Sequence, residues 1–75
     1  MSRTKIASTI DVVANGEPRA IPDGQTVAAF LAAQGLDPDV VVVERNGEIV
    51  PRSRFGEVRL EADDRLEIVH FVGGG

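Results

Sequence analysis

The chain has no cysteine and a single histidine among its 75 residues. Without cysteine it has no disulfide, no thiolate metal site and no thiol nucleophile, and the lone His70 cannot form a histidine metal cluster. The absence of cysteine also excludes a disulfide-stapled secreted scaffold. We therefore expect one small domain that binds no metal and no cofactor and is stabilised by its core alone.

Positive charge is also scarce. Eight Lys and Arg residues stand against twelve Asp and Glu residues, which gives a net charge of −4. Nucleic-acid binders normally carry a clustered basic surface, so the composition disfavours a nucleic-acid partner and favours a basic protein partner. No apolar stretch approaches the roughly 20 residues of a membrane span, and the initial MSRTKIAS lacks a hydrophobic signal core. We expect a cytoplasmic protein with no membrane partner.

Two Asn-Gly pairs predict β-hairpins, because both central positions of the favoured two-residue turn need a positive φ. Asn15-Gly16 lies within a strand–turn–strand pattern over residues 6–21. Asn46-Gly47 separates a run of four valines, Val40 to Val43, from a short strand at Ile49 and Val50. The valine run is typical of a strand that is buried, or nearly buried, on both faces.

The segment between the hairpins changes to a helical period. Val27, Phe30 and Leu31 share one face, and alanines fill most of the remaining positions. Thr26 is suited to cap the N-terminus, and Gly35 is suited to the left-handed position that follows a helix. We predict a short helix over residues 27–34 that depends on packing for its stability.

The last third of the chain predicts a brief extended piece at Val58–Leu60 and a final strand over residues 65–72. The acidic pairs Asp37 with Asp39 and Asp63 with Asp64 are interpreted as solvated turn residues, not as metal ligands. The order strand, strand, helix, strand, strand, strand indicates an α+β fold. In it, a four- to five-stranded mixed sheet has one helix packed across it.

Alternation along RLEIVHFV divides the final strand into two faces. Leu66, Ile68 and His70 share the face that we assign to the helix. Val69 and Phe71 then emerge on the open face, where an exposed apolar pair marks a partner-binding surface. His70 is interpreted as a strand residue, because no nucleophile accompanies it.

The chain ends in three glycines after Val72. One interpretation is a disordered terminus without a role. The other is a reactive handle: three extended residues reach about 10 Å, and without Cβ atoms they can enter a channel too narrow for other residues.

Three segments carry a resemblance to a known family: GQTVAAFL at 24–31, VVERNGEIVPR at 42–52 and DRLEIVHFVGGG at 64–75. From about Ile10 onward the sequence resembles the thiamine-biosynthesis sulfur carrier proteins, which are ubiquitin-like members of the β-grasp fold. The resemblance implies a β-grasp domain over residues 1–72, which we expect to begin with a flexible arm at about 1–5, and a flexible tail at 73–75.

The resemblance also implies a function for the terminus. An adenylyltransferase related to ubiquitin-activating enzymes adenylates the carboxylate of Gly75, and sulfur from a cysteine-desulfurase pathway converts it to a thiocarboxylate that supplies thiazole synthase. Gly73 and Gly74 thread the tail into the partner, and Val69, Phe71 and Val72 form the partner contact. The protein is then a cosubstrate of other enzymes and not itself an enzyme.

Other functions are open to this fold. A molybdopterin-synthase small subunit has the same glycine end and passes its sulfur to a pterin, and a ubiquitin-like modifier uses the activated terminus to acylate lysine. From a different class, a small RNA-associated β-grasp module resembles IPDGQTV at 21–27, but the negative charge and the glycine end disfavour it. A neighbouring gene for either synthase, or conjugates on other proteins, would distinguish these functions.

Overall fold

The computed structural model describes residues 8–71 of the chain, which form five strands and one α-helix. The predicted order of elements is confirmed. The predicted arm at 1–5 and the residues from Val72 onward lie outside the described residues. The elements are β1 (Thr9–Ala14), β2 (Glu17–Pro22), α1 (Val27–Ala33), β3 (Val41–Arg45), β4 (Glu48–Ile49) and β5 (Arg65–His70), with short 3₁₀ turns at Pro38–Val40 and Arg52–Arg54.

The five strands form one mixed sheet in the order β2-β1-β5-β3-β4. β1 and β5 run parallel, and the other neighbouring pairs are antiparallel. The last strand in the sequence therefore lies at the centre of the sheet, with a neighbour on each side.

Both predicted hairpin turns are confirmed. Asn15 and Gly16 have φ values of 51° and 82°, and Asn46 and Gly47 have values of 53° and 88°. Two successive positive φ angles are what the favoured hairpin turn requires, and asparagine and glycine tolerate them best.

The helix begins at Val27 as predicted and ends at Ala33, one residue before the predicted end, and both predicted capping residues are confirmed. The Thr26 hydroxyl accepts a hydrogen bond from the Ala29 N–H at 3.1 Å. At the other end Gly35 adopts a φ of +73°, and the Leu36 N–H donates to the Leu31 carbonyl at 2.9 Å. This closing bond turns the chain sharply and folds Leu36 back against the core.

The core lies between the helix and one face of the sheet. Val27, Phe30 and Leu31 are fully buried, as the helical spacing predicts. Val50, Phe55 and Leu60, which the sequence pattern did not assign to the core, are also buried in it and lie outside the strands and the helices. The other buried apolar residues are Val12, Ala14, Ile21, Val41, Val43 and Leu66.

The prediction that the valine run is buried on both faces is wrong. Val41 and Val43 are buried, but Val42 between them is 36% exposed. The reason is that α1 covers one face of the sheet, and no helix or strand of the described residues covers the other. The valines therefore alternate, as in any strand with one open face.

Candidate functional site

The side chains of the two turn asparagines hold β5 in the sheet. The Asn15 amide accepts from the Ile68 N–H at 2.8 Å and donates to the Ile68 carbonyl at 3.2 Å. Asn46 holds the start of the strand from the opposite side, because its Oδ1 accepts from the Arg65 N–H at 2.9 Å. The position of β5 is thus fixed at two points.

Asp64 anchors the segment that leads into β5. The residue is 5% exposed, and its carboxylate accepts hydrogen bonds from Arg45 Nε at 2.8 Å, Asn46 Nδ2 at 3.0 Å and the Glu61 N–H at 2.8 Å. Burial raises the pKa of Asp64, but these hydrogen bonds and the charge of Arg45 outweigh it, so the pKa lies below its ordinary value. The interpretation of Asp64 as a solvated turn residue is therefore wrong, whereas Asp63 is exposed.

An apolar patch lies on the open face of the sheet at the end of β5. Val69 is 58% exposed and Phe71 is 41% exposed, so both emerge where alternation predicts. Val42 pairs with Val69 across β3 and β5 and extends the same surface. We call Val42, Val69 and Phe71 the sheet-face patch. Exposed apolar side chains that are contiguous in this way are typical of protein-binding surfaces.

Two carboxylates border the sheet-face patch. Glu44 and Glu67 stand directly opposite each other on β3 and β5, two pairs along from Val42 and Val69 and therefore on the same face. Neither forms an ion pair within residues 8–71. Like charges in this position destabilise a sheet, and a cationic side chain from a partner would relieve the repulsion. The border of the patch therefore suits a basic protein surface.

Apart from the sheet-face patch, residues 8–71 show few features of a functional site. His70 is an exposed residue at the end of β5. Residues 8–71 contain no group of three or more His, Cys, Asp or Glu side chains arranged to hold a metal ion. In the same range no helix is long and apolar enough to cross a membrane. The sequence-predicted residues Val72, Gly73, Gly74 and Gly75 lie outside the described residues.

The segment NGEIVPR, which contributed to the resemblance, has a structural role in this molecule. Asn46 holds β5, and Arg52 donates from Nε to the Pro38 carbonyl at 2.8 Å. That bond ties the 3₁₀ turn after β4 to the 3₁₀ turn that precedes β3. The segment therefore organises the strands that carry the sheet-face patch and does not itself lie in the patch.

The comparison with protein families decides the affiliation. The model of the ThiS family matches residues 12–75. The chain belongs to the ThiS family. The resemblance to the thiamine-biosynthesis sulfur carriers that the sequence indicates is thereby confirmed. The match favours the thiamine branch over the molybdopterin, modifier and RNA-associated alternatives.

Two curated relatives of this ThiS-family chain differ greatly in length. The sulfur carrier protein ThiS of Bacillus subtilis is 49% identical over 53 residues, which cover 71% of this chain and 80% of that protein. A thiazole synthase of Magnetococcus marinus is 46% identical over 61 residues, which cover 81% of this chain and 19% of that protein. The chain thus spans about a fifth of the length of that thiazole synthase.

A solved structure confirms the fold. The crystal structure of a thiamine biosynthesis protein (ThiS) from Geobacter metallireducens superposes with a TM-score of 0.77 at 29% sequence identity. The match covers 88% of this chain and all of that one. The prediction of an α+β, β-grasp fold is therefore correct.

Proposed function

We propose that this ThiS-family chain is a sulfur carrier for the synthesis of the thiamine thiazole, with the carboxylate of Gly75 as the reactive group. The observation that carries the proposal is the family match over residues 12–75, which includes the terminal glycines. The sheet-face patch at the end of β5 supports it, because a carrier must dock on the enzymes that process its terminus.

The proposed chemistry has two steps at the terminus. A carboxylate oxygen of Gly75 attacks the α-phosphorus of ATP, and pyrophosphate leaves, which gives an acyl-adenylate. A hydrosulfide equivalent then attacks the acyl carbon and AMP leaves, which gives a thiocarboxylate. A carboxylate is a poor electrophile until AMP becomes its leaving group, so activation has to precede the sulfur step. The chain supplies the reacting terminus, and the catalytic groups belong to its partners.

Three partners follow from this proposal: a ubiquitin-activating-like adenylyltransferase, a sulfur donor of a cysteine-desulfurase pathway, and thiazole synthase. The relative from Magnetococcus marinus supports the last of these, because a protein named thiazole synthase contains a segment similar to this chain. No resident cofactor is proposed, since AMP and sulfur are attached to the terminus in turn. Because activation consumes ATP, we propose the cytoplasm as the compartment.

The decisive experiment is the intact mass of the chain after incubation with ATP, a candidate adenylyltransferase and a sulfur source. We expect a mass gain equal to the replacement of one oxygen by sulfur. The product should then support thiazole formation by thiazole synthase. No mass change with an adenylyltransferase proven on its own carrier would contradict the proposal, and attachment to lysines of other proteins would replace it with the modifier function.

The proposal assigns partner contact to the sheet-face patch, and Phe71→Ala tests that assignment. We expect kcat/KM for adenylation to fall about fivefold to thirtyfold, because truncation of an aromatic anchor typically costs an interface about 1–2 kcal/mol. Phe71 is 41% exposed and lies outside the core, so the free energy of unfolding should change by less than about 1 kcal/mol. Adenylation kinetics and thermal unfolding of the same preparation provide both values.

Ile49→Ala is the matched control for Phe71→Ala. Ile49 is 64% exposed on the edge strand β4, opposite Glu44 at the border of the patch and two strands away from Val69. Its truncation should leave adenylation unchanged. Equal losses in the two variants would mean that the effect is not specific to the patch, and a collapsed fold in Phe71→Ala would make that residue structural.

A further inference from the structure

The central strand extends further than its parallel neighbour. β1 pairs with β5 at Val13–Arg65 and Ala14–Leu66, where β1 ends. β5 continues to His70, and throughout that length its other edge pairs with β3. Beyond Leu66, one edge of the central strand therefore has no neighbouring strand within residues 8–71.

The hydrogen bonds show which backbone groups point to that edge. The Phe71 N–H donates to the carbonyl of Val40, which directly precedes β3, at 3.0 Å. The backbone N–H and carbonyl groups of the odd-numbered residues of β5 therefore point to β3. The Leu66 carbonyl accepts from the Asn15 N–H at 2.8 Å, and the backbone of Ile68 is hydrogen-bonded to the Asn15 side chain. The backbone groups of the even-numbered residues therefore point to the side of β1. His70 is the next even-numbered residue. Its N–H and carbonyl therefore point past Asn15 to the open edge.

The outer edges of the sheet are blocked by contrast. Just after β2, the Asp23 N–H donates to the Ser8 carbonyl at 3.0 Å. The backbone groups of the odd-numbered residues of β2 therefore face β1, and those of the even-numbered residues face outward. Two of these outward positions are prolines, Pro18 and Pro22, which have no N–H to offer. At the opposite edge β4 has only two residues and Pro51 follows shortly. Within residues 8–71, the edge at His70 has neither the outward prolines of β2 nor a strand that covers it, so it is open to a further strand.

We propose that the backbone of His70 is a docking site for an extended segment of the enzyme that adenylates the terminus. The segment pairs with the N–H and carbonyl of His70 as an added strand next to β5. This inference rests on the proposed function and specifies how the partner holds the carrier.

The composition of the tail indicates why the adenylating enzyme would pair with His70. Four residues follow Phe71, and the last three are glycines without side chains to grip. An enzyme that must place their carboxylate against ATP has to fix the chain through backbone groups or through residues further back. Strand addition at His70 fixes the register of β5 three residues before the tail begins at Gly73. The terminus is then about 16–18 Å away when the five residues after His70 are extended. The sheet-face patch lies on the adjacent face, so one partner surface reaches both.

His70→Pro tests the site, and His70→Ala is its matched control. Proline removes the outward N–H and leaves the bonds of Val69 and Phe71 to β3 in place, as Pro18 and Pro22 do in β2. We expect kcat/KM for adenylation to fall about fivefold to tenfold in His70→Pro, the usual effect of one lost hydrogen bond, and to stay at the wild-type value in His70→Ala. Equal rates in the two variants would overturn the proposal.

Amide hydrogen exchange of the unmodified chain gives a second test that does not depend on a substitution. The His70 amide should exchange rapidly in the free carrier and become protected when the adenylyltransferase is added, while the Phe71 amide is protected in both states. A His70 amide that stays unprotected in the complex would contradict the proposal. Protection in the free carrier that rises with its concentration would assign the edge to a second copy of the chain. Failure of the wild-type chain to be adenylated at all would instead contradict the proposed function.

Discussion

A chain that lacks one terminal glycine is expected to be adenylated at less than about one hundredth of the wild-type rate. Each extended residue contributes roughly 3.3–3.6 Å of reach, so the deletion withdraws the carboxylate by that distance from the position where it meets ATP. Reacting atoms must approach to about 3–3.5 Å, and a misplacement of about 1 Å already costs about a hundredfold. Pyrophosphate exchange and the intact-mass experiment measure the loss.

The three glycines make this deletion informative. Removal of Gly73, Gly74 or Gly75 produces the same protein, which still ends in two glycines. The deletion therefore changes reach and not the character of the end. Gly73→Ala is the control that keeps the length, and its rate should fall less than that of the shortened chain. If the shortened chain were as active as the wild type, the assignment of the reaction to the position of Gly75 would be incorrect.

Replacement of Asp64 by asparagine is expected to destabilise the fold by about 3 kcal/mol, because one partner of a buried ion pair is removed and the other remains. Arg45, Asn46 and Glu61 all donate hydrogen bonds to the Asp64 carboxylate. The side-chain NH₂ of an asparagine at this position is itself a donor, so it cannot accept the bonds that one of the two carboxylate oxygens accepts. In a domain of this size the loss corresponds to a fall of roughly 12–24 °C in the thermal midpoint. Thermal unfolding followed by circular dichroism measures it.

Asp63→Asn is the matched control for Asp64→Asn. Asp63 is exposed and has a φ of +71°, a conformation that asparagine tolerates well, so its replacement should change the thermal midpoint little. Comparable losses in the two variants would show that the turn, and not the buried carboxylate, controls stability.

The lowered pKa of Asp64 also predicts how stability depends on pH. The folded-state pKa lies below that of the unfolded chain, about 3.9, so the stabilisation is fully present well above pH 4. It is lost as the pH falls through the folded-state value. The free energy of unfolding of Asp64→Asn should therefore lack the part of the pH dependence that arises from the Asp64 carboxylate. A wild-type chain whose excess stability over the variant is unchanged down to about pH 2 would contradict this account.

The elements that the sequence predicted well are those whose structure depends on residues close to each other in the sequence. Thr26 caps a helix through a bond to a residue three positions away, and the Asn-Gly turns need only their own two φ angles. Exposure of Val69 and Phe71 followed in the same way, because alternation assigns a face to every residue once Leu66 is known to be buried.

The features that the sequence did not predict depend on distant residues. The Asn15 side chain bonds to Ile68, 53 positions away, and Asp64 bonds to Arg45, 19 positions away. No local pattern contains such a partner. Exposure of Val42 was missed for a related reason, since a run of valines does not show whether the chain has a second layer to cover it. The candidate site was therefore predicted along β5 and missed on β3.

The central place of β5 has a consequence for biosynthesis. β1 and β2 can form their hairpin early, but the middle of the sheet stays empty until the strand made last arrives between β1 and β3. Such long-range pairing is slow compared with local pairing, and a growing chain folds in the order of its synthesis as far as its contacts allow. A nascent chain truncated before Arg65 has its helix and both hairpins but cannot close its core. A chain that has not yet added β5 therefore lacks Val69 and Phe71, and so has no complete sheet-face patch to offer a partner.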